Sequence, residues 1–135
     1  MGTLLGFDYG THRIGVAVGQ TITATATALT TLNAVQQRPD WEQISTLIEA
    51  WKPQALIVGL PFNMDDTETE VASRARRFAR QLEGRYHLPV HLVDERLTSL
   101  EANRQLGGKP KQKGEIDALA AKLILETWLG SANTN

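Results

Sequence analysis

The chain contains no cysteine, so disulfides, thiolate metal sites and cysteine nucleophiles are all excluded. Its three histidines, His12, His87 and His91, are scattered and read as surface or loop residues rather than ligands. No apolar run approaches the ~20 residues of a membrane span. The first strand begins almost at once, without the basic and apolar regions of a signal peptide. Met1-Gly2 resembles a myristoylation start, but Gly6 stands where Ser or Thr is required. A cytoplasmic protein with no membrane partner is expected. Net charge is scarce as well: 14 basic and 15 acidic side chains leave −1 at pH 7. A nucleic-acid partner would have to be gripped by local basic patches, not by the charge of the whole molecule.

What is present fits a single α/β domain over residues 1–130, with a frayed polar tail at 131–135. Leu4 to Tyr9 and Ile14 to Val18 are β-rich runs separated by Gly10-Thr11-His12-Arg13. In the second run Ile14, Val16 and Val18 alternate with Gly15, Ala17 and Gly19, so one face is bulky and the other nearly bare. A bare face lets a helix or a ligand come close. Thr21 to Leu29 suits a third strand. Pro39 is expected to open a helix to Trp51, with Trp41, Ile44, Leu47, Ile48 and Trp51 at helical spacing. Ala55 to Leu60 and Val90 to Val93 read as buried strands. Between them Asp65 or Asp66 can cap a helix to Tyr86, with Val71, Ala75, Phe78, Ala79 and Leu82 inward. Thr98-Ser99-Leu100-Glu101 has the form of a capping box for a helix to Leu106. A basic linker from Gly107 to Gly114 leads to a last helix over Glu115 to Leu129. Three meandering strands followed by β-α-β crossovers predict a mixed five-stranded sheet with helices on both faces.

Asp8 is out of place in this scheme, because no structural rule asks for an aspartate inside a strand. Asp94 and Glu95 follow a strand end, where open α/β sheets bind ligands. Asp117 is expected in the first turn of the last helix, at the head of the stripe Asp117, Ala121, Ile124, Trp128. Two such charges 4 Å apart repel by about 4 kcal/mol at an effective dielectric of 20. Mg²⁺ or Mn²⁺ would relieve that repulsion and asks for no histidine or cysteine. The competing readings are ordinary: Asp117 as a helix-dipole partner, and Asp94 or Glu95 paired with Arg96. The residues alone leave these even with a metal site, and leave Asp94 and Glu95 undecided.

Four segments in order resemble the YqgF/RuvX family of Holliday-junction-resolvase-like nucleases: GFDYGTHRIGVAVG, VGLPFNMDDTE, DERLTSLEA and KGEIDALAAKLILETWL. Asp66 stands where that family has glycine. The resemblance implies an RNase H-like fold and a metal-dependent nuclease that processes the 5′ end of pre-16S rRNA in ribosome biogenesis. Resolution of branched DNA, or nucleic-acid binding without catalysis, are the alternatives it leaves. It also implies a catalytic and metal-binding triad of Asp8, Glu95 and Asp117, with two Mg²⁺ or Mn²⁺ ions as cofactors. Partners would be pre-rRNA or branched DNA and ribosome-assembly components, with the chain a monomer or weak homodimer. Substrate phosphates would fall to Arg13, Arg96, Lys109, Lys111 and Lys113; Arg74, Arg76, Arg77 and Arg80 read as a solvated helix surface. Asp8-Tyr9-Gly10-Thr11 also matches the phosphate turn of actin-like kinases, but those bind nucleotide between two such domains and this chain has length for one.

Overall fold

The computed structural model describes residues 2–61, 70–95 and 113–132, except for the side chains of 113–116 and 132. β1 (Thr3–Tyr9) and β2 (Arg13–Gln20) form the expected hairpin, antiparallel from Thr3↔Gln20 to Tyr9↔Ile14. β3 (Thr25–Val35) starts four residues later than expected, because 21–24 turn the chain back from β2, and runs six residues past Leu29. The fifth and sixth strands, in the order of the chain, follow the crossover pattern.

The sheet has six strands rather than five. The addition is β4 (Arg38–Pro39), which folds back on β3 with Ala34↔Pro39 and Val35↔Arg38. Pro39, expected to open a helix, sits at a sheet edge where its missing N–H costs little. The helix cap is instead Asp40, whose carboxylate accepts from the Gln43 N–H at 3.1 Å, and α1 runs Trp41–Trp51. β5 (Ala55–Leu60) is parallel to β1 and buried throughout, as its unbroken apolar run requires. β6 (Val90–Asp94) is parallel to β5. It was expected to be buried, but it is an edge strand of the sheet order β4-β3-β2-β1-β5-β6, and His91 and Leu92 are exposed.

α2 (Glu70–Tyr86) joins β5 to β6. With α1 it covers one face of the sheet, where Phe78 packs 5.6 Å from both Phe7 and Trp41. Trp51 is 37% exposed, so the last turn of α1 contributes less to that core than its spacing suggested. The opposite face is covered by α3 (Lys113–Ala132), whose Ala121, Ile124, Leu125 and Leu129 bury against Leu4, Ala17 and Ile57. α3 starts two residues earlier than expected and continues through Gly130 to Ala132. The capping-box helix, Asp65, Asp66 and Asn135 lie outside the described residues. His87 and His91 stand four apart, a metal spacing only on a helix. Here a left-handed His87 follows α2, and His91 lies in β6, stacked on Trp128.

Gly84 lies in α2 with nothing within 4 Å of where a side chain would be. Gly84→Ala should therefore stabilise the protein by about 0.5–1 kcal/mol. A thermal melt should show a rise of a few degrees; an unchanged or lower midpoint would contradict the free helical surface described here.

Candidate active site

Alternation along β1 sends Leu5, Phe7 and Tyr9 to the α1–α2 core, and Leu4, Gly6 and Asp8 to the α3 side. Both strands beside Asp8 offer glycine at its level. Gly15 of β2 is its direct register partner. On β5 the pairing runs from Leu4↔Ala55 to Phe7↔Val58, and one further step sets Gly59 beside Asp8. The two glycines admit different things. A Cβ on Gly15 would collide with the backbone of α3 at Asp117 and Ala118. A Cβ on Gly59 would collide with Ile124 and stand 2.8 Å from Glu95 Oε1. The bare face of β2 thus lets a helix turn descend on one side of Asp8, and the bare place on β5 lets the Glu95 side chain in on the other.

The electrostatics follow from that crowding. The Asp8 carboxyl is held well above the usual carboxylate range, first by burial, then by a hydrogen bond with Glu95, then by the charges of Glu95 and Asp117. The acid that meets Asp8 is Glu95, directly after β6; Asp94 is the last residue of β6, in register with Leu60. Asp117 lies one turn inside α3, not in its first turn, because the helix begins at Lys113. Its carboxylate faces Arg13, whose Nε–H donates to Oδ2 at 2.7 Å in a half-buried ion pair.

Asp8 and Glu95 are therefore in contact, while Asp117 is near enough to act on Asp8 but is engaged by Arg13. Among the described residues, no group of three acids or histidines surrounds a single ion position. The donor chemistry nevertheless fits Mg²⁺ or Mn²⁺: the Asp8 carboxyl deep beside a half-buried Glu95, whose Oε1 atom is itself buried without a hydrogen bond. Arg96, Lys109 and Lys111 lie outside the described residues, and Lys113 opens α3 with its side chain outside them.

Asp8, Glu95 and Asp117, singled out from the sequence, come close together here, but the Arg13–Asp117 pair, which joins residues 104 apart in the chain, was not foreseen. It read Gly15 as an opening for a helix or ligand, and the helix takes it. Gly59 carried no signal beyond its place in an apolar run.

The family model for RuvX, described as Holliday junction resolvase, matches residues 2–131. A protein of Pseudomonas putida named "Putative pre-16S rRNA nuclease" is 53% identical over 136 residues, covering 97% of this chain and 96% of its own. Among solved structures, RuvC of Thermus thermophilus bound to a Holliday junction superposes with a TM-score of 0.56 at 15% identity, covering 99% of this chain and 98% of that one. The yeast mitochondrial Holliday junction resolvase gives 0.57 at 11%, covering 93% and 77%. Both share the fold.

Proposed function

The chain belongs to the RuvX family, and from that membership we propose a metal-dependent nuclease that hydrolyses phosphodiester bonds, with the 5′ end of pre-16S rRNA as its substrate. One observation carries the reading: Asp8 is set deep against Glu95, in the field of Asp117, between two glycines whose missing side chains let α3 and Glu95 close in on it. A sheet interior gains nothing from such crowding, whereas a nuclease needs it.

In this reading Asp8, the central acid, would hold the metal together with Glu95 and Asp117. Bound divalent ions supply Lewis-acid activation of water and neutralise charge at the scissile phosphate. The protein's own contribution is to fix the acids. β1 fixes Asp8, the end of β6 fixes Glu95, and α3 seated on Gly15 fixes Asp117. Arg13 steers the Asp117 carboxylate and, with its side chain 36% exposed, would be accessible to a substrate phosphate. Arg96 and the linker lysines would extend that grip.

The test is incubation with a precursor rRNA bearing an unprocessed 5′ end, with Mg²⁺ or Mn²⁺ and with chelator. Cleavage only with metal is the expected result, and an intact RNA under both conditions would overturn the reading. The fold shared with RuvC favours a second substrate, a four-way DNA junction, which belongs in the same assay.

Replacing Lys109, Lys111 and Lys113 together by Gln should flatten the salt dependence of nucleic-acid binding. The expected change is about 0.7 to 0.9 log units per lost phosphate contact. An unchanged slope would remove the linker from the binding surface.

A further inference from the structure

The α1–α2 face holds a cavity of about 530 Å³ that the acid site does not use. It is of the size that encloses small ligands, and four of its walls are guanidinium groups: Arg38, Arg74, Arg77 and Arg85. Tyr9 and Trp41 supply aromatic surface beside them. On a chain of net charge −1 this is a sharp local excess of positive charge. Arg74 pairs with Glu70 at 2.9 Å, and Arg85 lies 4.1 Å over the Trp41 ring. Among the described residues only Arg74 of the four is in an ion pair with a carboxylate.

The way Arg38 arrives is informative. β3 turns into β4 through Gln36 and Gln37, both left-handed with φ of 53° and 64°. Side chains other than glycine or asparagine adopt that conformation at a cost of about 1 kcal/mol or more each. The turn lifts Arg38 and Pro39 onto the cavity rim, opposite the arginines of α2. A strained turn that gathers like charges works against stability, and a bound anion would offset it.

We propose that this arginine-lined cavity binds a single-stranded stretch of the nucleic-acid substrate, phosphates on Arg38 and Arg77 and a base beside the Trp41–Arg85 stack. Its placement supports this: Tyr9 lines the cavity and Asp8, the next residue back, points to the other face. A strand passing round the end of the sheet reaches both. A concave, aromatic-backed pocket suits an unpaired nucleotide better than the convex backbone of a duplex. The inference rests on the nucleic-acid reading above, but not on cleavage.

Its test is therefore made in chelator, by fluorescence anisotropy with a single-stranded RNA of about 12 nucleotides. Arg38→Gln with Arg77→Gln should weaken binding at least about tenfold and lower the log–log salt slope by about 1.4, two contacts at ~0.7 each. Arg38→Lys with Arg77→Lys, which keeps the charge, should restore the slope. Wild-type affinity and slope in the Gln variant would overturn the proposal. So would a Lys variant as impaired as the Gln one, or a loss seen with duplex RNA and not with single strand. A chain that binds through this cavity yet never cleaves would overturn the nuclease reading and leave this one. A chain that cleaves, with binding unchanged in the Gln variant, would overturn this one alone.

Discussion

Asp8→Asn should do two opposite things: abolish metal-dependent cleavage and make the metal-free protein more stable. The first effect follows from the central place of Asp8 among the acids. Metal-held charge stabilisation is worth several kcal/mol in the transition state, and ~4 kcal/mol is about a thousandfold in rate. The second follows from burial. A carboxyl forced upward in the folded state favours its protonated form there, while the unfolded chain has the ordinary value. The native protein then binds more protons than the unfolded one, so its stability falls as pH rises through the folded value. Asn carries no charge to desolvate and can still hydrogen-bond Glu95. We expect the metal-free variant to be more stable at neutral pH, with a melting temperature raised by a few degrees. The decline of the melting point with pH should flatten in the variant. A less stable Asp8→Asn protein would mean that Asp8 is structural.

Gly15→Val should show the largest combined loss. The added atoms would be driven into the α3 backbone at Asp117 and Ala118, which cannot move aside as a flexible side chain could. Overpacking costs typically 1–3 kcal/mol, and a backbone obstacle belongs at the upper end or beyond. The helix start would tilt away, carrying Asp117 from Asp8 and breaking the 2.7 Å contact with Arg13. A displacement of about 1 Å in a catalytic group is worth ~100-fold in rate. Thermal melts and cleavage rates read both effects, and Gly84→Ala is the contrasting case. A folded, fully active Gly15→Val protein would show that α3 is not seated as described.

The sequence disclosed more of the sheet than of its edges. β1, β2 and β5 were legible because alternation and unbroken apolar runs report burial on one face or two. β4 was not, since a two-residue strand has no period to read, and its proline pointed to a helix start. β6 looked buried because composition cannot tell an edge strand from a central one. Glu95 and Asp94 were inseparable as neighbours in sequence. The family resemblance pointed to Glu95, and its contact with Asp8 beside Gly59 supplies the physical distinction. Arg13 was read as a phosphate contact, and its ion pair with Asp117 depends on tertiary placement that no local spacing encodes. The arginines of α2 read as a solvated surface, because the opposing Arg38 arrives from β4.

In the proposed reading a divalent cation would take over from the Asp8–Glu95 hydrogen bond and the Arg13–Asp117 ion pair in relieving the crowding of acids at the end of this sheet. Anomalous diffraction from crystals grown with Mn²⁺ addresses that directly. A peak is expected within coordination distance, about 2.0–2.2 Å, of both Asp8 and Glu95, with Asp117 released from Arg13 toward it. Manganese bound elsewhere, or an Asp8–Glu95 pair that keeps its hydrogen bond in saturating metal, would contradict that reading.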